Sequence, residues 1–333
     1  MKDAIISIII PVYNGAAFLE RCLDAVLTQD FEDYEVICID DGSTDETYSI
    51  LKSRKEPNIR IIKQENAGVW NARMRGLSEA RGDYIAFCDC DDKPAANWIS
   101  KMHKQAVFWN ADITVCGFRR VDSESGHTIS KEMMLSGSID VSDNKLQLVF
   151  LNTSLWNKLF KAELLNSLFL PEQPPRLAED SLLLTGIYPD VNKVAFVPEV
   201  LYDYYLHSAS AISHVTINDF IVTRDAFSEL SRVYPQKYYN LYTCMAVMHC
   251  AVSFSFFSRK NTAEVIRETY NFITGTFPNW KNAITLRDII KSRYRWKMTR
   301  VYSIFLLYRL HLFDSFVSVW QFMSDKFGIK LKW

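Results

Sequence analysis

The sequence lacks an excess of charge of either sign, and it lacks a paired-cysteine pattern. Its 333 residues carry 38 Lys and Arg against 39 Asp and Glu, a formal net charge of -1. The chain as a whole therefore has no positive field of the kind that attracts nucleic acid. The seven cysteines are odd in number and show no C-x-x-C spacing. A disulfide scaffold is not expected, and a reducing cytosol suits this chain better.

Several catalytic motifs are absent as well. No G-x-G-x-x-G follows the first apolar run and G-x-x-x-x-G-K-[ST] occurs nowhere, which argues against a dinucleotide enzyme and a P-loop NTPase. H-E-x-x-H and G-x-S-x-G are missing too. The N-terminal apolar run ends in Pro11 without a small-residue cleavage site, so it does not predict a signal peptide.

Strand-like and helix-like segments alternate as far as about residue 120. The apolar, β-branched runs predict strands at 5–10, 34–39, 59–62, 83–88 and 113–116. Three helices are expected in this part of the chain. The first follows Asn14, which can cap it, the second follows a capping box of Ser43 and Glu46, and the third covers 70–80. This alternation predicts an α/β fold with a mostly parallel sheet flanked by helices.

The rest of the chain has a different pattern. Residues 121–145 are polar and predict a loop, 156–168 predict a helix, and helical patterning dominates from 218 onward. The stretch 241–257 contains no Asp, Glu, Lys or Arg. It is shorter than a usual membrane span and holds several polar residues, which favours a buried helix.

Two acidic clusters fall at predicted strand ends: Asp40-Asp41 and Asp89-x-Asp91-Asp92. In open α/β sheets, ligands bind beyond the carboxyl ends of the strands. Carboxylates gathered there repel one another unless a cation lies between them, and oxygen ligands suit Mg²⁺ or Mn²⁺. Aspartate is also common in turns. The first cluster alone favours a turn, and for the second the two interpretations are balanced.

Four short segments in one order carry a family resemblance. They are SIIIPVYN at 7–14, IDDGSTD at 39–45, NAG at 66–68 followed by Ala72-Arg73, and ARGDYIAFCDCDD at 80–92. Together they resemble the family 2 glycosyltransferases. The segment WNKLF at 156–160, the Glu179-Asp180 pair and the stretch 201–213 extend the resemblance to about residue 215.

The resemblance implies an inverting enzyme with a GT-A fold, a Rossmann-like sheet flanked by helices. The helical patterning beyond the resemblance predicts a helical C-terminal region. It implies a catalytic domain over 1–216, with a nucleotide-sugar half at about 1–120 and an acceptor half at about 121–216. Residues 217–333 form the helical region, which would associate with a membrane or pack on the core. The donor would be a UDP-sugar. The acceptor would be a bacterial surface glycan, such as lipopolysaccharide or capsule.

By the same resemblance, Pro11, Val12 and Tyr13 would line the nucleoside pocket and Asp41 would accept a hydrogen bond from the base. Arg73 is either a nucleotide contact or a solvated helix residue. A planar guanidinium suits phosphate or base edges.

The metal, Mn²⁺ or Mg²⁺, would be ligated by Asp91, with Asp89 at the ribose or in the metal shell. His207 is a further candidate ligand, although a histidine beside tyrosines is more often a packed residue. Asp92 either orients the metal shell or caps the turn. Asp180 would be the catalytic base. A carboxylate on the acceptor side suits inversion, in which the base acts opposite the leaving group.

The C-terminal segment is basic and aromatic. Residues 291–333 contain nine basic and two acidic residues, a net charge of +7, interleaved with aromatic side chains. Such helices can lie on an anionic bilayer, or they can pack on the core with a solvated basic face. Two other function classes stay open: a non-catalytic nucleotide-sugar-binding protein, and a nucleotidyltransferase. The second normally has a basic Gly-rich loop, which is absent after the first strand.

Overall fold

The computed structural model describes residues 5–166, 168–207, 215–252, 254 and 262–327. The chain divides into two compact units. The first comprises Met1–Asp143, Asn152–Phe169 and Asp190–Ser210, and the second comprises Asn144–Leu151, Leu170–Pro189 and Ala211–Trp333. Packing therefore does not follow chain order, because two short segments before residue 216 belong to the second unit.

The described part of the first unit is built on a ten-stranded sheet. Its strands are β1 Ile6–Val12, β2 Tyr34–Asp41, β3 Ile59–Gln64, β4 Tyr84–Phe87, β5 Lys93–Pro94, β6 Ile113–Asp122, β7 Thr128–Glu132, β8 Gly137–Asp140, β9 Lys158–Lys161 and β10 Lys193–Leu206. The order is β3-β2-β1-β4-β9-β6-β10-β5, with β7 on β6 and β8 on β10.

Four helices complete this unit: α1 Ala16–Leu27, α2 Thr47–Ser53, α3 Gly68–Glu79 and α4 Trp98–Trp109. They connect strands β1 to β4 and β5 to β6. Strands β3, β2, β1 and β4 run parallel, and β10 runs parallel to β6. The predicted α/β class with a mostly parallel sheet is confirmed. Every residue of β1 and β2 is buried, as expected of strands covered on both faces.

The region 156–168 was predicted to be a helix, and that prediction is wrong. It contains β9, followed by a short 3-10 turn over Ala162–Leu165. β9 pairs antiparallel with both β4 and β6, so Phe160 lies opposite Ile85 on one side and Ile113 on the other. The strand pairing of β9 with β4 and β6 therefore overrides the local preference of these residues for a helix.

Two further strand regions differ from the sequence interpretation. The polar stretch 121–145, predicted to be a loop, contains the edge strands β7 and β8. The longest strand, β10, was not predicted. Its interruption at Pro198 and its register shifts between Val197 and Tyr202 disturb the alternation that would reveal a strand.

The N-terminus of α1 is not capped by Asn14. This residue has a positive φ of 49°, and its Oδ1 accepts a hydrogen bond from the backbone N–H of Thr44 at 2.8 Å. The backbone N–H of Ala16, at the first position of the helix, instead donates to Asp45 Oδ2 at 3.2 Å. The cap therefore comes from the loop after β2, which fastens the ends of β1 and β2 to each other.

The predicted capping box of Ser43 and Glu46 is also absent. Helix α2 begins at Thr47, and Glu46 at its N-cap makes no side-chain cap bond. Asp45 Oδ1 accepts from the Thr47 N–H at 3.0 Å, while Ser43 Oγ accepts from the N–H of Asn14 at 3.0 Å. The tertiary contact between the two loops replaces the local motif.

The described part of the second unit is helical. Its α-helices are α5 Glu179–Ile187, α6 Ile217–Val233, α7 Tyr239–Met245, α8 Thr262–Thr276, α9 Leu286–Lys291, α10 Arg295–Arg309 and α11 Phe313–Phe327. A π-helical segment, Ala246–Val252, continues α7. Within the described residues, no helix combines the length and apolarity that crossing a bilayer requires.

Helix α3 packs so closely on β1 that only glycine fits at Gly76. A Cβ there would lie 2.3 Å from Cγ2 of the buried Ile9.

We expect Gly76→Ala to lower the free energy of unfolding by about 1–3 kcal/mol, the usual cost of overpacking a core. Gly275, in α8, has open space around its Cα. As the matched control, Gly275→Ala should be neutral or stabilise by up to about 1 kcal/mol. Urea unfolding measures both, and equal effects would contradict the packing argument.

Candidate active site

The acidic turn, residues 89–92, directly follows β4 at the carboxyl end of the parallel strands. Asp92 is fully buried, and its Oδ1 accepts the backbone N–H of Tyr205 at 2.9 Å. Its Oδ2 has no hydrogen-bond partner among the described residues. Burial, and then the charges of Asp91 and Asp89, raise the pKa of Asp92 well above its usual range. Asp92 thus joins the acidic turn to β10.

Asp91 contacts a histidine that lies far away in sequence. His207 follows the last residue of β10, and its Nε2 lies 2.6 Å from Asp91 Oδ2. The imidazole stacks on Phe18 of α1, with ring centroids 5.0 Å apart. Its Nδ1 is buried and has no hydrogen-bond partner in the described part of the chain. The histidine is packed, as one interpretation held, and it also directly faces the carboxylate predicted to bind metal.

The acidic turn offers too few donor groups to hold a divalent cation without further ligands. Within the described ranges, no three His, Cys, Asp or Glu side chains converge as a metal cage. Mg²⁺ is typically held by one or two carboxylates together with substrate phosphates and water. Asp91 and His207 offer two adjacent donors, with Asp89 on the same turn. This set fits a cation whose shell is completed by a diphosphate, and it does not fit a cation held by protein alone.

Cys90 does not extend this donor set as a thiolate. Burial, followed by the charges of Asp91 and Asp89, raises the pKa of its thiol well above the ordinary value. Only a thiolate is a strong metal ligand, so the protonated thiol acts as a packing group. Its Sγ lies 3.0 Å from where a Cβ on Gly15 would be, which ties the acidic turn to the start of α1.

Arg73 is buried, with 4% of its surface exposed, so the interpretation as a solvated helix residue is wrong. Its Nη2 donates to Asp89 Oδ1 at 3.1 Å. The backbone N–H of Asp89 donates to the hydroxyl of Tyr202 at 3.1 Å. Asp89 is therefore held from α3 on one side and from β10 on the other. A contact of Arg73 with nucleotide stays a prediction.

Asp41 ends β2 and is 2% exposed. Its Oδ1 accepts from Gln64 Nε2 at 2.7 Å and from the Ala67 N–H at 2.9 Å, and its Oδ2 accepts from the Gly68 N–H at 2.8 Å. These bonds shape the loop that enters α3. A carboxylate has about four lone-pair sites, so one acceptor position is left for a ligand. Its predicted bond to the base remains a prediction.

The three residues predicted to line the nucleoside pocket end β1. Pro11 and Val12 are buried and pair with Ile39 and Asp40 of β2, whereas Tyr13 is 52% exposed. Of the three, only Tyr13 has an exposed side chain. The role of all three in a nucleoside pocket stays a prediction.

Lys158 is not a surface residue. It is fully buried, and its ammonium donates to the backbone carbonyls of Asn152 and Ser154 at 2.7 and 2.6 Å and to Asn157 Oδ1 at 3.0 Å. A buried ammonium requires such partners, because an unpaired charge there would be very costly. Lys158 therefore orders the loop before β9 and is not available to an acceptor or a phosphate.

Helix α1 contacts the acidic turn through Arg21, which no sequence pattern singled out. Arg21 Nη2 donates to the backbone carbonyl of Asp91, and its guanidinium lies 3.7 Å from the ring centre of Tyr205. Phe18, three residues earlier on the same helix face, stacks on His207. A polar residue three positions after an aromatic one at the start of a helix is too common a pattern to reveal this role.

Asp180 lies in the second unit, in the first turn of α5. The helix predicted to start at the Glu179-Asp180 pair is confirmed, with Ala178 at the N-cap in a left-handed conformation. Carboxylates are favourable at this end of a helix because of its dipole. Arg176, just before α5, forms a two-pronged ion pair with Asp219 of α6, at 3.0 and 2.9 Å. Asp180 thus lies in the first turn of a helix whose preceding loop is attached to α6 by an ion pair.

Solved structures with the same architecture identify the fold. S. aureus TarS 1-349 in complex with UDP-GlcNAc superposes with a TM-score of 0.64 over 92% of both chains, at 20% identity. A second crystal structure of S. aureus TarS 1-349 gives a TM-score of 0.66 over 92% of this chain and 91% of the other, at 18% identity. At this identity the likeness concerns the fold alone, which is GT-A.

Sequence relatives identify the family. The model of glycosyl transferase family 2 matches residues 7–169. Glycosyltransferase GlyA of Streptococcus pneumoniae is 31% identical over 63% of this chain and 32% of its own length. EpsJ of Bacillus subtilis, an uncharacterized glycosyltransferase, is 30% identical over 60% of each chain. A poly(ribitol-phosphate) beta-glucosyltransferase of Bacillus spizizenii is 32% identical over 60% of this chain and 32% of its own length.

Residues 7–169 therefore match the family 2 glycosyltransferases, the fold is GT-A, and the predicted resemblance is confirmed. Its matched region spans between about a third and three fifths of the length of these relatives.

Proposed function

We propose that this protein is an inverting glycosyltransferase that moves a hexosyl or N-acetylhexosaminyl group from a UDP-sugar to a hydroxyl of a glycan acceptor. The observation that carries the proposal is the Asp91–His207 pair at the carboxyl end of β4, inside a family 2 domain. In a parallel α/β sheet this edge is where nucleotides bind.

The nature of the two substrates is supported by relatives. TarS, which shares the fold, was crystallised with UDP and with UDP-GlcNAc. The Bacillus spizizenii relative is named for the glucosylation of poly(ribitol phosphate). A UDP-sugar donor and an acceptor in a bacterial surface glycan, lipopolysaccharide or capsule included, are the corresponding proposals here. Tyr13, Asp41 and Arg73 would bind the uridine and its phosphates.

A divalent cation, Mn²⁺ or Mg²⁺, would be held by Asp91 and His207 with Asp89 beside them. When bound, it would supply positive charge against the departing diphosphate. Asp92 and Arg21 would hold the acidic turn in place, because one bonds to the strand that precedes His207 and the other to the backbone of Asp91.

In the transfer step, the acceptor hydroxyl oxygen forms a bond to the anomeric carbon while the bond from that carbon to the diphosphate breaks. The hydroxyl proton goes to the carboxylate of Asp180, and UDP leaves with the electron pair. Attack opposite the leaving group inverts the anomeric configuration. Glu179, beside Asp180 at the start of α5, would support it.

A screen for UDP release from a panel of UDP-sugars tests the proposal most directly. Release with transfer to an acceptor supports it. Binding of UDP without turnover of any donor would instead identify a non-catalytic binding protein. Formation of a UDP-sugar from UTP and a sugar phosphate would identify a nucleotidyltransferase.

The metal assignment predicts the behaviour of Asp91→Ala. We expect the variant to stay folded and to lose at least about tenfold in UDP affinity in the presence of Mn²⁺ or Mg²⁺, since one of few ligands is gone. Isothermal titration with and without EDTA measures this. Asp24→Ala removes a carboxylate exposed on α1 and is the matched control. Equal UDP affinity of wild type with metal and with EDTA would show the assignment to be wrong.

The base assignment predicts that Asp180→Asn keeps the shape of the side chain but loses the proton acceptor. The transfer rate should fall by roughly 10²–10⁴-fold, while UDP affinity changes little. Glu179→Gln is the neighbouring control and should cost less. Retained transfer by Asp180→Asn would eliminate this residue as the base. A product with the anomeric configuration of the donor would eliminate the inverting mechanism.

The C-terminal helices support a peripheral contact with an anionic bilayer. One face of α10 is buried within the second unit, as the packed-subdomain interpretation requires. The opposite face exposes Trp296, and Leu310 just after the helix is exposed as well. The cations of Lys297 and Arg300 lie 4.8 and 5.0 Å from the Trp296 ring. In α11, Val319 and Phe322 are exposed. Packing and lipid contact are therefore compatible, because they use different faces of α10.

The membrane contact predicts co-sedimentation with anionic vesicles at low salt and much less with neutral ones. Each basic residue near the surface contributes about 1 kcal/mol, and salt screens the attraction. Replacement of Arg293, Arg295, Lys297 and Arg300 by Gln should release the protein while transfer to a soluble acceptor analogue continues. Equal recovery in the supernatant with anionic and neutral vesicles would refute the contact.

A further inference from the structure

Four charged residues form one lateral row across four neighbouring strands of the first unit. Lys93 of β5 lies opposite Asp203 of β10, Asp203 lies opposite Arg119 of β6, and Arg119 lies opposite Lys131 of β7. Residues directly opposite one another across strands present their side chains on the same face of a sheet. The row therefore places three cations and one carboxylate side by side.

The same four residues line one groove. Its volume is about 340 Å³, and its remaining walls are the small or apolar residues Pro94, Ala95 and Val200. All of these residues belong to the first unit. Lys93 immediately follows Asp92, so the groove begins at the residue after the acidic turn.

The charges of the row do not balance. Arg119 and Asp203 form a two-pronged ion pair, Nε–Oδ1 at 2.5 Å and Nη2–Oδ2 at 2.7 Å, which raises the pKa of Arg119. Lys93 and Lys131 flank this neutral pair, and neither has an ion-pair partner among the described residues. Both are exposed. Arg119 is neutralised by Asp203, so the net positive charge of the row lies at its two ends, Lys93 and Lys131.

The length and composition of the row restrict the ligand. Neighbouring strands are about 4.8 Å apart, so the backbones of the two lysines are separated by roughly 14 Å. One phosphate group can contact both lysines only if the two side chains bend toward each other over the Arg119–Asp203 pair. A chain with repeated anionic groups can contact both lysines without such bending. The groove contains no aromatic side chain for stacking bases, which disfavours single-stranded nucleic acid.

We propose that this groove binds a polyanionic glycan through oxyanions spaced along its chain, with Lys93 and Lys131 contacting separate anionic groups. The inference rests on the proposed function, because this glycan would be the acceptor. The Arg119–Asp203 ion pair lies between the two lysines. Because Asp203 is already paired with Arg119, it neutralises neither Lys93 nor Lys131. The oxyanions are phosphodiesters or carboxylates, which the lysines recognise by the same chemistry.

The test uses the full chain and two labelled probes, a glycerol-phosphate oligomer and an oligogalacturonate of equal charge. Fluorescence anisotropy at low salt measures their affinity for wild type and for the double variant Lys93→Gln/Lys131→Gln. Exposed ion pairs are individually weak, so we expect the loss of two to reduce the affinity by roughly three- to thirtyfold. Lys52→Gln/Lys104→Gln removes two exposed cations on helices α2 and α4 and should leave the affinity unchanged.

Preference for one labelled probe identifies whether phosphodiesters or carboxylates are recognised. Three results would overturn the inference: equal affinity of wild type and the Lys93/Lys131 variant, equal loss in the control variant, or inorganic phosphate competing as well as the oligomer. Single-stranded DNA of equal charge binding as tightly as either glycan would replace the glycan with a nucleic acid. Charge reversal, Lys93→Glu/Lys131→Glu, should weaken probe binding further if the Gln variant responds.

The outcome is separable from that of the proposed function. Probe binding requires no turnover, and release of UDP from a UDP-sugar in the absence of acceptor should be the same in wild type and in the Lys93/Lys131 variant. If wild type binds the probes through these lysines but releases no UDP from any donor, the transfer proposal fails and the groove remains. If transfer is normal and the KM for a polyanionic acceptor is the same in both proteins, the groove assignment fails.

Discussion

The structure of the site depends on the attachment of the acidic turn to the end of β10. Three bonds make this attachment: the Asp89 N–H to the Tyr202 hydroxyl, Asp92 to the Tyr205 N–H, and Asp91 to His207. Neighbouring carboxylates repel one another, and a turn carrying three of them would open without such restraint. Because Tyr202 and Tyr205 of β10 and His207 just after it make these bonds, one strand and its C-terminal end hold the whole turn.

The electrostatic cost of the site is distributed unequally among its carboxylates. Asp92 is buried deepest, and its raised pKa shows that its own negative charge is unfavourable at this position. Asp89 is compensated by Arg73, whereas Asp91 and His207 face each other. Each carboxylate of the turn thus has a different kind of partner: a backbone N–H, a guanidinium and an imidazole.

Loops from different strands hold one another in a similar way along the carboxyl edge of the parallel strands. Asp45 caps α1 from the loop after β2, and Asp41 orders the loop before α3. In both cases a side chain satisfies backbone N–H groups of another element. The edge of the sheet is thus preorganised by hydrogen bonds between loops, which reduces the reorganisation that ligand binding would require.

Features that depend on local chemistry could be predicted from the order of the residues alone. Continuous apolar runs identified β1 and β2, the acidic pairs marked the ends of β2 and β4, and the Glu179-Asp180 pair marked the start of α5. Ordered motifs identified the family, because their residue types and order are specific even without a structure.

Contacts between residues far apart in sequence depend on how the strands and helices are arranged in the fold. β9 is a strand because it fills the gap between β4 and β6, and Arg73 is buried because α3 brings it to Asp89. The contact of Asp91 with His207, and the row from Lys93 to Lys131, follow from strand order and register. Local patterns carry no information about either, since register is set by pairing partners far along the chain.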